Sequence, residues 1–204
     1  MNKKFLFSLF FLFSIFLTNS CGNSANTTAN NPNDNSLLAP PSKLTTVKLK
    51  LPNQEPLDIT VGLNYGKWTP TPARDYKGAE FIAQSYCVSN GTETKYSSPT
   101  KEFVQICFII NDNKRWESKS PVAPGNFYLS TRGVPEMGRI ASVSVSVIKD
   151  GRKIPDVFID KFNTYGNLTL ETVSEKFLSG KFAFSGTTVS INGEFGVNII
   201  LADQ

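Results

Sequence analysis

Apolar and polar residues alternate along much of the chain beyond residue 44. In the clearest run, residues 140–148, Ala or Val at every second position alternates with Ser. A strand has this period of two when one of its faces is buried and the other meets water. Asp150 and Gly151 follow, and this pair favours the left-handed backbone of a tight hairpin turn. The pattern therefore predicts a strand, a turn and a returning strand through residues 157–159.

The same alternation recurs in short segments separated by turns rich in Gly, Pro and Asn. Strands are predicted at residues 44–51, 57–63, 80–88, 102–110, 140–148, 157–159, 168–173, 177–184 and 188–200, with a further short strand beginning at Tyr128. Residues 66–78 are Pro-rich and are predicted to be irregular, and no stretch has helical periodicity. About nine or ten strands at this spacing are typical of an antiparallel β-sandwich, with a partly open β-barrel as the alternative. The sequence thus predicts an all-β domain over residues 44–204.

The N-terminal residues have a different pattern. Lys3 and Lys4 precede an apolar run over residues 5–17 that only Ser8 and Ser14 interrupt. A helix that spans a bilayer needs about 20 apolar residues, so this run is too short to cross a membrane comfortably. A basic start followed by a short apolar run is typical of a secretory signal peptide. Residues 1–20 are therefore expected to be a signal peptide.

The apolar run ends at Leu17-Thr18-Asn19-Ser20-Cys21, which resembles the lipobox of bacterial lipoproteins. A small residue stands directly before the cysteine, as in that motif, whereas Leu17 lies four residues before the cysteine instead of three. The resemblance implies that Cys21 carries acyl chains, which anchor the mature protein to a membrane. Gly22 stands where an Asp would favour inner-membrane retention, so the resemblance implies placement in the outer membrane. The alternative is a plain secretory signal with an incidental cysteine.

The segment after Cys21 has the composition of a disordered linker. Residues 22–36 are almost wholly Asn, Ser, Thr, Ala, Pro, Gly and Asp, and they include no aromatic residue. Such a segment buries too little apolar surface to offset the conformational entropy that folding removes. A flexible chain of roughly 20 residues spans about 25 Å, which would hold the domain clear of the lipid headgroups. Residues 21–43 are therefore expected to be the lipidated cysteine and a disordered tether.

The composition of the chain excludes several classes of function. It contains no histidine, which excludes Ser-His-Asp and Cys-His catalysis and histidine-containing zinc sites. Without Lys3 and Lys4 of the signal peptide, 19 basic residues stand against 17 acidic ones. This near balance, with no basic stripe, argues against nucleic-acid binding. The acidic residues have no calcium-loop or metal spacing, and no Gly-rich phosphate loop is present, so neither a metal nor a cofactor is expected.

Cys87 and Cys107 each fall in a predicted strand of a chain that is expected to be exported. Because disulfides form in oxidising compartments outside the cytosol, a Cys87–Cys107 disulfide is predicted. The alternatives are two separate buried thiols, or a reactive thiol with no histidine to activate it.

A charged loop between two predicted strands is the candidate for partner recognition. Residues 111–119 have a tryptophan in the middle of charged side chains. Trp beside Arg and Lys can stack on sugars or on side chains of a partner, and Trp and Arg are enriched at interface hot spots. The residues predicted to bind a partner are Lys114, Arg115, Trp116 and Lys119. The alternative is a solvated hairpin loop in which Trp116 folds back over the sheet edge.

Two C-terminal segments resemble the ending of many β-rich lipoproteins of diderm bacteria. They are residues 178–184, with the sequence LSGKFAF, and residues 189–195, with the sequence VSINGEF. The resemblance implies a β-rich fold and brings no activity with it. Gly180 and Gly193 would permit bulge or turn backbones, and the Phe residues would pack in the core of the sheet.

These observations predict a lipid-anchored outer-membrane protein whose β-sandwich domain is a non-enzymatic binding or envelope-associated module. Its expected partners are the membrane, through the lipid, and an envelope glycan or protein. One alternative is a structural surface-coat protein. Another is a carboxylate-based hydrolase acting on envelope glycans, since two acidic side chains far apart in the sequence can meet in a fold.

Overall fold

The computed structural model describes residues 44–50, 54–75, 77–92, 102–114, 120–130, 136–159 and 164–200. The expected signal peptide, residues 1–20, and the expected lipidated cysteine and tether, residues 21–43, lie outside this part of the chain. The described residues form β-strands joined by turns and irregular segments. No helix long and apolar enough to cross a membrane occurs among them.

Eleven strands are formed by the described residues. They are β1 (Leu44–Leu49), β2 (Leu57–Gly62), β3 (Tyr65–Arg74), β4 (Glu80–Ser89), β5 (Phe103–Asp112), β6 (Gly125–Tyr128), β7 (Ile140–Lys149), β8 (Arg152–Ile159), β9 (Thr164–Val173), β10 (Phe177–Gly186) and β11 (Val189–Ile199). Most of them coincide with the segments in which apolar and polar residues alternate, because that alternation places one apolar face of each strand in the core.

The strands form one large sheet. Its main path runs β6-β9-β10-β11-β3-β4-β5-β7-β8, and β1 and β2 extend from β11 beside this path. Neighbouring strands pair antiparallel, except that Asn198 and Ile199 of β11 pair in parallel with Tyr65 and Gly66 of β3. This two-residue junction divides the sheet into a β10 half (β6, β9, β10, β11, β1, β2) and a β5 half (β3, β4, β5, β7, β8). The all-β prediction is confirmed, and the sheet formed by the described strands is mostly antiparallel and not closed.

Side chains from both halves of the sheet contribute to one hydrophobic core. The ring of Phe108 on β5 lies 5.3 Å from the ring of Phe182 and 6.1 Å from that of Phe184, both on β10, measured between centroids. All three side chains are buried, and aromatic rings at such separations attract each other. Most apolar positions of the strands therefore face this core, and most polar positions lie on the opposite face.

Residues 66–74 of the Pro-rich segment 66–78 belong to β3, which corrects the prediction that this segment is irregular. Pro70 and Pro72 both lie within β3 and stand opposite residues of β4. Proline has no backbone N–H to donate, so within sheets it is confined to edges, strand starts and bulges. From Lys67 onward β3 pairs only with β4 among the described residues, which leaves one side of this stretch as an edge where proline is tolerated.

The predicted hairpin is confirmed. Strands β7 and β8 pair antiparallel across Asp150 and Gly151, whose φ angles of 52° and 72° are left-handed. One boundary was predicted wrongly, because Tyr128 ends β6 instead of beginning a strand. Only Phe127 is buried in this four-residue strand, so the sequence gives no repeating pattern from which its limits can be found.

Two glycines in the segments that resemble β-rich lipoproteins have different roles. At Gly180 the pairing of β10 with β9 shifts register, as expected for a bulge. Gly193 pairs in continuous register with Phe182 inside β11, so the prediction of a bulge or turn at this residue is wrong. A Cβ atom at Gly193 would come within 3.0 Å of the Cα atom of Thr45 on β1. The glycine is therefore needed for the close approach of β1 to β11.

Candidate functional site

Cys87 of β4 and Cys107 of β5 form a disulfide, which confirms that prediction. The two residues are direct partners in the antiparallel register, and their Cα atoms are 4.0 Å apart. Their neighbours Tyr86 and Phe108 are buried, so the disulfide lies on the sheet face that points away from the core. The bond ties two adjacent strands of the β5 half together, and neither sulfur atom is available as a nucleophile.

Most of the residues predicted for lipidation and for partner binding lie outside the described part of the chain. They are Cys21, Arg115, Trp116 and Lys119. Their roles stay predictions. Lys114, the other residue of the predicted binding loop, is described and lies just beyond the end of β5.

Lys114 joins the beginning and the end of this loop. Its ammonium group donates hydrogen bonds to Ser120 O, Ser120 Oγ and Pro121 O, at 3.3, 3.0 and 2.7 Å. The ammonium nitrogen also lies 3.6 Å from Oδ2 of Asp112. A lysine ammonium has three donors, so these contacts within the chain engage its hydrogen-bonding capacity. The binding of Lys114 to a partner stays a prediction.

Below this loop, Gln84 lies at the centre of a buried polar network. Its side chain is fully buried on β4. The amide Nε2 donates to Oδ2 of Asp112 at 3.0 Å and to the carbonyl of Ser120 at 2.7 Å. The amide oxygen accepts a hydrogen bond from Nε1 of Trp68 at 2.6 Å. Both donors of the amide are therefore used inside the protein, as buried polar groups require.

Tyr86 continues this network toward the core. Its hydroxyl oxygen accepts a hydrogen bond from the backbone N–H of Val122 at 2.9 Å, and the hydroxyl donates to Oε1 of Gln84 at 3.4 Å. Burial raises the pKa of the Tyr86 phenol well above its ordinary value, the hydrogen bond from Val122 lowers it, and the charge of Asp112 raises it further. The phenol therefore keeps its proton at neutral pH. The network holds residues 120–122 against the sheet.

A different surface has the features of a binding site. It is the outer face of the β10 half, meaning the side of β6, β9, β10, β11, β1 and β2 that points away from the core. Register partners place one residue of each strand in a line across this face, here called the middle row. From β6 to β2 the middle row is Tyr128, Asn167, Ala183, Asn192, Thr46 and Thr60. None of these side chains is buried and none is charged.

A hollow lies over the centre of the middle row. Its volume is about 470 Å³, and Asn167, Ala183 and Asn192 contribute to its lining. Ala183 is the shortest side chain of the row and stands directly between the two asparagines in the register. The depression therefore forms where the methyl group of Ala183 is flanked by longer side chains. Its volume lies within the range of about 300–1,000 Å³ that is usual for small-molecule sites.

Hydrogen bonds orient the polar side chains at one border of the hollow. The amide nitrogen of Asn167 donates to Oγ1 of Thr169 at 3.3 Å, and the Thr169 hydroxyl donates to Oδ1 of Asn126 at 2.7 Å. These three residues lie on β9 and β6, which are paired strands. Side chains that are fixed in this way lose less conformational freedom when a ligand binds.

Two tyrosines stand on the outer face of the β10 half. Tyr165, on β9, is 79% exposed, and Tyr128, on β6, is 49% exposed. The guanidinium carbon of Arg139 lies 5.7 Å from the centroid of the Tyr128 ring, a cation–π distance that holds this ring in place. A tyrosine offers an apolar ring and a polar hydroxyl, and it is therefore suited to surfaces that bind amphipathic groups such as sugars.

The charged residues on this face occur close to opposite charges. Lys48 and Asp58, on the β1 and β2 end, form an ion pair of 3.2 Å. The ammonium group of Lys181 lies 3.9 Å from Oε1 of Glu171, and Lys181 is also the register partner of Glu194. The face thus presents a nearly balanced charge, and its central row can interact with a ligand by hydrogen bonds and ring contacts.

The described residues contain no group of three or more Cys, Asp or Glu side chains that could hold a metal ion. The arrangement on the outer face is suited to reversible binding, since its central side chains are amides, hydroxyls and phenols.

The middle row is absent from the sequence predictions for a physical reason. Asn167 and Asn192 each occupy a polar position of an alternating strand, which is also the pattern of an ordinary wet sheet face. They come together only because β9, β10 and β11 are neighbours in this register. The sequence contains one indication of this surface, namely that Tyr165, an aromatic residue, occupies a position of β9 that faces solvent. A single such residue does not predict a binding site.

No protein-family model matches the chain, and no curated protein or solved structure is significantly similar to it.

Proposed function

We propose that this protein is an exported lipoprotein, anchored to the outer membrane through Cys21, whose β domain is a non-enzymatic binding module. The basic start, the short apolar run and the lipobox-like ending of residues 1–21 support the anchor. The polar composition of residues 22–36 supports a tether that lets the domain reach material beyond the membrane surface.

We also propose that the two halves of the sheet are the layers of a β-sandwich. The contacts of Phe108 with Phe182 and Phe184 support this arrangement, because they join the buried faces of β5 and β10. In a sandwich the interior is filled by the inward side chains of both layers. Recognition is then left to the loops and to the outer faces.

The observation that carries the binding function is the outer face of the β10 half. It combines a hollow of about 470 Å³, in which Lys181 and Glu194 are the charged lining residues, with the uncharged middle row and an exposed Tyr165. A surface-coat protein without a ligand needs neither a hollow nor an oriented hydrogen-bond chain such as Asn167, Thr169 and Asn126. Binding to material of the envelope therefore accounts for more features than a purely structural role.

Saturable binding to isolated cell envelopes tests this function. The full chain with Cys21→Ala would be expressed in a diderm host, purified from its soluble fraction and mixed with sedimented envelopes. We expect retention that saturates with protein concentration and is lost when the protein is heat-unfolded. Retention no higher than that of the unfolded protein would contradict a binding module. Release of soluble sugars from the envelopes would instead support the hydrolase, and self-association without retention would support the coat protein.

A further inference from the structure

We infer that the middle row is the site for an uncharged polysaccharide chain lying across the strands of the β10 half. This inference rests on the proposed binding function and names the class of its ligand. It depends on four features of the row, namely its hydrogen-bonding groups, its charge environment, its length and its aromatic border.

The hydrogen-bonding groups of the row match those of a sugar. Asn167 and Asn192 flank Ala183, and each asparagine amide has both donors and an acceptor. Thr46 and Thr60 continue the row with hydroxyl groups, which both donate and accept. Sugar hydroxyls have the same dual character, so a glycan offers both the donors and the acceptors that these amides and hydroxyls can pair with.

The charge environment favours a neutral ligand over an ionic one. All six residues of the middle row are uncharged. Two charged side chains, Lys181 and Glu194, also line the hollow, and they are register partners of opposite charge. Lys181 lies 3.9 Å from Glu171 as well, and Lys48 forms an ion pair with Asp58. An anionic polymer would have to separate these pairs and would face the carboxylates at close range. Charge complementarity therefore points to a chain of neutral sugars and away from nucleic acids and acidic polysaccharides.

The length of the row suits a chain rather than one sugar. Neighbouring strands lie about 4.8 Å apart, so the six strands from β6 to β2 extend over roughly 24 Å. The hollow above Ala183 occupies only the middle of this distance, and the row continues past it on both sides. A single sugar in the hollow would leave Thr60 and Tyr128 without contact, whereas an extended chain reaches all of them.

The aromatic border supplies the apolar part of the contact. Tyr128 ends the middle row at β6, and Tyr165 lies on β9, two residues from Asn167. Tyrosine rings pack on the C–H faces of sugar rings while their hydroxyl groups stay hydrated. A protein partner is less favoured here, because protein interfaces have an apolar, well-packed centre, and the centre of this face is Ala183 between two amides.

Fractionated envelope material tests the ligand class. Envelopes would be divided into a protease-digested sample and a periodate-oxidised sample, since periodate cleaves the vicinal diols of sugars. Soluble polysaccharides released from the envelopes would be separated on an anion exchanger into a neutral flow-through and an acidic eluate. The full chain with Cys21→Ala should bind the protease-digested envelopes and should not bind the periodate-oxidised ones. The neutral polysaccharide fraction should compete with the envelopes for the protein, and the acidic fraction should not.

Variants of the row connect this binding to the site. Asn192→Ala should weaken retention about tenfold through lost hydrogen bonds, and Ala183→Glu should weaken it at least as much by filling the hollow with a charge. Ser144→Ala on the outer face of the β5 half is the matched control and should bind like the wild-type chain. Thermal unfolding of each variant would establish that it is folded. Because Tyr165 is exposed, Tyr165→Ala provides a second variant that is expected to fold normally and bind more weakly.

The failure of this inference can be distinguished from failure of the binding function. Three results would overturn the polysaccharide site and leave a binding module. They are retention on envelopes after periodate oxidation, competition by the acidic fraction, and unchanged retention of Ala183→Glu and Tyr165→Ala. If the envelopes retain neither the parent chain nor any variant, the binding function itself is overturned.

Discussion

The side-chain amide of Gln84 donates a 3.0 Å hydrogen bond to the carboxylate of Asp112, and both side chains are buried. Gln84 lies on β4 and Asp112 at the end of β5, so the bond crosses between paired strands. The same amide donates to the carbonyl of Ser120. Gln84 is therefore one of the residues, with Lys114 and Tyr86, that fix the point where the chain returns to the sheet after the loop predicted for partner binding.

Replacing this glutamine should destabilise the protein. Gln84→Leu leaves the indole N–H of Trp68 and the buried hydroxyl of Tyr86 without the acceptor to which they donate. It also removes one of the hydrogen bonds to the Asp112 carboxylate and to the carbonyl of Ser120, which keep their contacts with Lys114. Unpartnered buried groups cost about 1–3 kcal/mol each, and we expect a loss of about 2–4 kcal/mol, measured by urea unfolding. Gln105→Leu, at a half-buried position of β5, is the matched control. A Gln84→Leu variant as stable as Gln105→Leu would contradict the role of the network.

The disulfide should stabilise the protein because it lowers the conformational entropy of the unfolded chain. It joins residues separated by 20 positions, and closing a loop of this size removes entropy equivalent to about 3 kcal/mol. Cys87→Ser with Cys107→Ser is expected to lower the free energy of unfolding by about this amount. Mass spectrometry of unreduced peptides from envelope-derived protein would detect the bond directly. Two free thiols in that protein would show that the bond is not formed in the cell.

Thr45 is a position where substitution should be tolerated or favourable. It is fully buried on β1, and its hydroxyl oxygen has no hydrogen-bond partner among the described residues. Thr45→Val keeps the shape and removes the unpartnered hydroxyl, so the variant is expected to be unchanged or more stable by about 1 kcal/mol. The adjacent Thr46→Val, on the outer face, is the control. A clear loss of stability in Thr45→Val alone would mean that the hydroxyl is bonded.

Stability should decline at alkaline pH partly because of Tyr86. Burial raises the pKa of its phenol above the ordinary value of 10.0, so the unfolded chain releases this proton first. The stability that the protonated phenol contributes to the folded state is fully present below pH 10.0 and is lost as the pH rises above this value. Urea midpoints at about pH 9 and about pH 11 should therefore fall more for the wild type than for Tyr86→Phe. An equal fall in both proteins would rule out the contribution of this phenol.

Strands were predictable from sequence wherever a repeating pattern is long enough. In the ten-residue strand β7 the valines at positions 143, 145 and 147 alternate with serines, and the Asp150-Gly151 turn that follows has local conformational preferences. In β3 the prolines at positions 70 and 72 argued against a strand, and only its place at an edge makes them acceptable. That place is a property of the whole sheet, and no local sequence pattern contains it.

The candidate site depends even more than the strands on strand order and register, which no local sequence pattern contains. Asn192 meets Ala183 because β10 and β11 pair in one register, and Asn167 meets Ala183 through a different pairing, with β9. A shift of one residue in either register would send an asparagine to the opposite face. The sequence contains the residues of the middle row, but strand order and register determine that they form a row. The Cys87–Cys107 bond was predictable because the chain is expected to be exported and both cysteines fall in predicted strands.

Our central claim is that this domain works at the end of a lipid anchor on Cys21, and detergent-phase partitioning of the full chain tests it most directly. Expressed in a diderm host, the wild-type protein should sediment with membranes and enter the detergent phase, because several acyl chains make anchoring effectively permanent. Cys21→Ala should be recovered in the soluble fraction, and Ser20→Ala, which keeps a small residue before the cysteine, should behave like the wild type. A Cys21→Ala protein that still enters the detergent phase would contradict the claim.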